Sequence, residues 1–222
     1  MMTCRGNPLY PSCGGYPYQK ETVMTYQLLK FIHIIGLMLM GAGLIGVFVS
    51  DLRSRQLRDL PVFAETIRNI AVFYDGLVVP GAILLFISGT WLIVSFYGGW
   101  QFLDMPWLAG MVGLFVFEFV EGNTVTRLYF MRLRRLTKAA LQQGQITPEL
   151  EQARSETVPA FTHFLDIPIL LVITSLGAIR PNTWTLLIVG TVLALLIATL
   201  LTIILPRLYP WIPQVQGESE RA

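Results

Sequence analysis

Residues 183–205 run twenty-three positions without one ionisable side chain. A hydrocarbon layer about 30 Å thick is crossed by roughly 20 apolar residues in a helix, so this stretch is long enough to span one. Residues 26–49, 71–96, 106–126 and 158–179 meet the same condition. Lipid offers no water to backbone N–H and C=O groups, so such segments must satisfy their own hydrogen bonds, which a helix does. The chain therefore reads as an all-α integral membrane protein of five transmembrane helices. Composition agrees: 54% of residues are hydrophobic, 14% are charged, and the mean hydropathy is +0.59. A soluble domain carries about 25% charged residues. A disordered chain, a water-soluble globule and a nucleic-acid-binding domain are all excluded on these grounds.

Net charge is only +2, but the basic residues are unevenly placed. Arg53, Arg55, Arg58 and Arg68 follow the first span. Arg127, Arg132, Arg134, Arg135, Lys138 and Arg154 follow the third, and Arg207 and Arg221 follow the fifth. The other side has Arg5, Lys20, Lys30 and Arg180. The positive-inside bias predicts an outside N-terminus and a cytoplasmic C-terminus, with Trp100, Trp107, Trp184 and Trp211 near span ends at headgroup depth. Residues 24–210 then form one transmembrane domain in contact with the bilayer. Its cytoplasmic loop is 127–157, and 211–222 are a cytoplasmic tail. Residues 127–143 read as a cytoplasmic extension of the third helix, capped by Gly144. Thr147-Pro148-Glu149 reads as a helix start. Residues 1–23 are expected to be either a disordered leader or a start placed too early, with Met24 opening the chain proper. Cys4 and Cys13 could form a disulfide if that end is periplasmic.

An ionisable side chain at the centre of a span costs roughly 2.5–3.5 kcal/mol on the insertion scale, so each one needs a reason. The spans contain His33, Asp75, Glu118, Glu121, His163 and Asp166, and the fifth contains none. Spans one to four are therefore expected to form the core bundle, with the fifth peripheral. Helical spacing puts His33, Gly36, Met40 and Gly43 on one stripe of span one. The stripe serves either close helix packing or a flat cofactor: haem b with His33 as axial ligand and room made by Gly36, Met40 and Gly43. Counted by rise, Glu118, Glu121, His163 and Asp166 meet in the cytoplasmic half, with Arg127 or Arg132 as counter-ions. That group suits a divalent metal, a proton relay, or a structural ion-pair network. Asp75 reads as interfacial, near a helix N-terminus. The chain has no P-loop, no dinucleotide fingerprint and no C-x-x-C motif.

Several short runs carry a resemblance. Phe31-Ile32-His33-Ile34-Ile35-Gly36 resembles the first helix of HemJ-type protoporphyrinogen oxidases and copper-resistance D-like membrane proteins. Val79-Pro80-Gly81-Ala82 with Ser88-Gly89-Thr90-Trp91-Leu92 is similar to their second helix, and Phe164-Leu165-Asp166-Ile167-Pro168 to the entry of their fourth. Residues 119–130 resemble an uncharacterised family of predicted bacterial integral membrane proteins. The resemblance implies a bacterial cytoplasmic (inner) membrane location, a four-helix core and haem b on His33. A membrane redox partner or a homo-oligomer would go with it. HemJ-type proteins also use a Lys in the third helix; here the corresponding span has Glu118 and Glu121 and no Lys. The reading at this stage is a membrane protein that binds a redox cofactor through His33. A divalent-cation binder or transporter, and an accessory subunit without chemistry, are the alternatives.

Overall fold

The computed structural model describes residues 17–57 and 59–210. Cys4, Cys13, Arg58 and the tail with Trp211 lie outside the described residues. The rest is helical: α1 (Pro17–Arg55), α2 (Leu60–Phe96), α3 (Pro106–Gln143), α4 (Pro148–Arg154), α5 (Thr157–Ile179) and α6 (Thr185–Leu208). A 3-10 turn, Gly99–Asp104, joins α2 to α3. All but α4 are long and apolar enough to cross a membrane. The all-α, five-span architecture is thus the one the sequence predicts.

The long helices overrun the apolar spans. At about 1.5 Å per residue, α1, α2 and α3 are each some 55–60 Å long, near twice the hydrocarbon thickness. Their ends project together on one side. The loop expected after the first span shrinks to residues 56–59, and Arg53, Arg55 and Arg68 are helical. The projecting part of α2 has its own amphipathic stripe, Leu60, Phe63, Ile67 and Ile70, at helical spacing. That stripe is buried in one core with Leu133 and Ala140 of α3 and Leu150 and Ala153 of α4. Asp59 caps α2 by accepting from the Val62 amide at 3.4 Å. Gly144 ends α3 at φ +69°, a conformation glycine adopts without a Cβ clash. Thr147 caps α4 through the Leu150 amide at 3.3 Å. The stop at Gly144 and the start at Thr147 both match the sequence reading.

The opposite end is aromatic. Tyr26 Oη lies 3.4 Å from Tyr97 Oη, tying α1 to the end of α2, and Trp107 packs edge-on against Tyr97. Counting about 20 residues inward from this end reaches the vicinity of Gly46, Leu77, Thr126 and Ala160, which marks the second membrane boundary. At that boundary α2 and α3 each contain one π turn, Tyr74–Val78 and Gly122–Thr126. An inserted residue rotates a helix face by about 100°, so the stripe beyond each turn is re-aimed relative to the stripe before it. The two turns are bonded to each other. Tyr74 Oη donates to the Gly122 carbonyl at 2.7 Å, and Arg127 Nη2 pairs with Asp75 Oδ1 at 3.1 Å.

Helix α5 is central, packing on α3, α6 and α1. Helix α6 lies outermost and meets α5 through the buried Ala194 and Ala198. The fifth span, α6, is thus peripheral, as its lack of ionisable residues implied.

Candidate functional site

Glu118 and Glu121 are three residues apart on α3, on the face that packs against α5. Asp166 projects from α5 to meet them. Glu118, Glu121 and Asp166 are 4%, 9% and 3% exposed, and Asp166 is the carboxyl neighbour that both glutamates share. The arrangement is a row with Asp166 in the middle. Thr126 extends it: its hydroxyl donates to Glu121 Oε1 at 2.8 Å and lies 3.2 Å from the Thr162 hydroxyl. Thr162 is half-buried and also bonds the Pro159 carbonyl at 3.1 Å. Thr126 reaches Glu121 because the π turn brings residues five apart onto one side. The row therefore runs from Glu118, about 12 Å inside the boundary at eight residues' rise, out to that boundary at Thr126.

A cavity of about 100 Å³ borders the inner end of the row. Glu118 and Asp166 are in its wall, with Tyr74 and Asn123, and Met40 and Ile83 add apolar surface. Among the described residues, neither Glu118 nor Asp166 nor Glu121 makes an ion pair with Lys or Arg. The expected counter-ions are engaged elsewhere: Arg127 with Asp75, and Arg132 with Glu156 at 2.7 Å. Asp75 itself is not near a helix start. It sits inside α2 at the π turn, half-exposed and paired.

His163 flanks the row without joining it. Its Nδ1 is 3.6 Å from Asp166 Oδ2, beyond hydrogen-bond range. The ring is 3% exposed, lies among Phe48, Phe130 and Phe164, and neither nitrogen has a hydrogen-bond partner among the described residues. So three of the four residues grouped by depth come together, and the fourth stands beside them. Among the described residues, no three His, Cys, Asp or Glu side chains converge as a metal site would require.

The α1 stripe has a different occupant from the one the haem reading needs. A Cβ at Gly36 would lie 3.0 Å from the Gly81 carbonyl and the Leu85 amide of α2; one at Gly43 would lie 2.6 Å from Val78. Met40 is buried in the same contact. His33 Nδ1 bonds Ser88 Oγ at 2.9 Å, and the ring rests over Gly89. Helix α2 fills the space beside these glycines, so the stripe does not fit a macrocycle on that face.

Beyond the boundary, Asp51 and Arg55 form a buried pair at 3.1 Å, and Arg154 Cζ lies 4.9 Å over the Phe63 ring. Burial pulls the Arg154 guanidinium down to about 10, which leaves it protonated at neutral pH. The sequence reading missed Tyr74, Thr126 and Thr162. For Thr126 the one signal was the polar run Gly122-Asn123-Thr124 inside an apolar helix, where the π turn falls; Tyr74 and Thr162 had none.

These features define a multi-pass helical membrane protein with a buried row of carboxyl groups opening on a small cavity. The chain belongs to a family of predicted integral membrane proteins, DUF2269, whose sequence model matches residues 27–181. That match takes in His33, the carboxyl row and both π turns. No curated protein and no solved structure matches the chain.

Proposed function

We propose that the protein moves protons between the cavity and the Arg-rich membrane face through Glu118, Asp166, Glu121 and Thr126. The observation that carries this reading is the linear order of the groups. A carboxylate only accepts hydrogen bonds, so contact between two carboxyl groups holds a proton between them. A row of such contacts, ended by hydroxyls that both donate and accept, can pass protons by successive hand-over. A divalent cation would ask for donors around one point rather than along a line. Haem b on His33 would ask for space that α2 occupies. With the basic segments cytoplasmic, the Thr126 and Thr162 end of the row opens toward the cytoplasm.

The test uses the full chain, purified in detergent and in liposomes loaded with a pH dye. Infrared spectra should show a protonated-carboxyl band that shifts in heavy water and loses intensity in Glu118→Gln and in Asp166→Asn. Under an imposed potassium diffusion potential, wild-type liposomes should change internal pH faster than empty ones, and both variants should slow this at least tenfold. A wild-type spectrum without that band removes the basis of the proposal. Stoichiometric metal lost in both variants would favour the cation binder instead, and a Soret band lost in His33→Ala would favour haem.

A further inference from the structure

The cavity at the inner end of the row has a mouth, and the mouth opens on the exposed apolar surface of α2 and α3. Helices α2 and α3 pack closely beyond the π turns and are joined by the 3-10 turn at the aromatic end, but between these points they diverge. Ile83 of α2 and Phe119 of α3, which line the cavity, are 48% and 41% exposed on that side. Phe86 and Phe119 stack across the gap at 6.5 Å on the side toward the aromatic end. The Asp75–Arg127 ion pair joins the two helices on the side toward the Arg-rich boundary. The opening thus has an aromatic lip, a charged lip at headgroup depth, apolar walls and an acidic floor.

The floor lacks a cation. Glu118 is 4% exposed, lines the cavity, and receives no hydrogen bond from an amide, guanidinium or hydroxyl group of the described residues. Its charged neighbours are the carboxyls of Asp166 and Glu121. The cavity has room for a few waters or one small head group. A primary ammonium brings a positive charge and three N–H donors. In a medium of low dielectric its attraction to a carboxylate is far stronger than in water.

We infer that the cavity is a lateral port for the ammonium head of a membrane-partitioned primary amine, whose alkyl chain stays among the lipid tails beside Ile83, Phe86 and Phe119. This rests on the proton-relay reading and gives the row something to exchange. The ammonium enters intact, the proton shared by Glu118 and Asp166 leaves along Glu121 and Thr126, and one positive charge replaces another. No covalent bond to the amine forms or breaks.

The experiment places the full chain in nanodiscs and adds n-dodecylamine at neutral pH, with a pH indicator in the medium. Saturable release of about one proton per chain above that of empty nanodiscs is expected from the one-for-one exchange of charge. n-Dodecanol, which has no charge, should release none, and n-dodecyltrimethylammonium, which has no N–H donor, should bind at least tenfold more weakly. Glu118→Gln should abolish the release. Ile83→Trp, a substitution at the half-exposed mouth, should weaken dodecylamine binding at least tenfold while leaving the protonated-carboxyl band in place. The inference is overturned if the band is present but dodecylamine releases no proton, or if Glu118→Gln releases as much as wild type; the relay reading survives the first of these. If the band itself is missing, the relay reading fails, and the port falls with it.

Discussion

Tyr74 spends its hydroxyl proton on a carbonyl that already accepts one bond. The Gly122 oxygen takes the Arg127 amide in the π pattern and the Tyr74 hydroxyl from the other helix. The fit is close, since a Cβ on Gly122 would sit 3.0 Å from that hydroxyl. A buried hydrogen bond of this kind contributes about 1 kcal/mol. Tyr74→Phe should therefore leave the fold intact and loosen the π turn of α3, seen as faster amide hydrogen exchange over residues 122–127 than elsewhere in that helix. Unchanged exchange there would mean the turn is held by α3 alone. At this scale the sequence was informative where spacing and depth suffice. Glu118, Glu121 and Asp166 were placed together from helical rise and span midpoints. Thr126 was not, because a side chain five residues from Glu121 reaches it only across a π turn, and apolar patterning does not reveal an inserted residue. Arg127 was misassigned for a lateral reason: depth placed it near the carboxyl row, but its position around α3 directs it to Asp75.

The contact of α1 with α2 depends on glycine being glycine. A Cβ on Gly81 would come 2.5 Å from the Met40 amide nitrogen, and one on Gly36 would press on the α2 backbone. Neither neighbour is a flexible side chain that can swing aside. Gly81→Ala should cost about 1–3 kcal/mol, the usual range for overpacking, and lower the unfolding temperature in detergent. Gly113→Ala makes the control, since nothing lies within 4 Å of its Cβ position; its effect should stay within about 0.5 kcal/mol. Equal effects would show that the α1–α2 seam is not tightly packed. The stripe of His33, Gly36, Met40 and Gly43 was visible in the sequence, but its partner was not. Small residues admit a neighbouring backbone and a flat ligand alike, and only tertiary placement tells which is there. Helix lengths were legible for α5 and α6, which stop near the ends of their apolar runs. For α3 the extension over 127–143 and its stop at Gly144 were legible too, but the overruns of α1 and α2 were not, because hydropathy falls at the boundary while an amphipathic helix continues beyond it.

The molecule as a whole is a membrane bundle with a small helical knob on its Arg-rich side. The knob continues the core of the bundle through Phe63, Leu133 and Leu150, and encloses Arg154 against Phe63. Its side of the membrane fixes the direction of everything proposed for the carboxyl row, since Thr126 and Thr162 lie toward it. The basic residues of the knob argue for the cytoplasm. Cysteine scanning decides the matter. In a chain carrying Cys4→Ser and Cys13→Ser, a cysteine at the exposed Gln143, next to the Gly144 stop, marks the knob. A cysteine at the exposed Gln101, in the 3-10 turn, marks the aromatic end. In intact cells a membrane-impermeant maleimide should label Gln101→Cys and leave Gln143→Cys unlabelled until the membrane is opened. The reverse pattern would put the knob outside, make the row deliver protons away from the cytoplasm, and place the lateral port in the outer leaflet. Labelling of both positions in intact cells would contradict an odd number of spans between them. From residue 101 to residue 143 the chain crosses once, along α3, so opposite sides are the only outcome this fold permits.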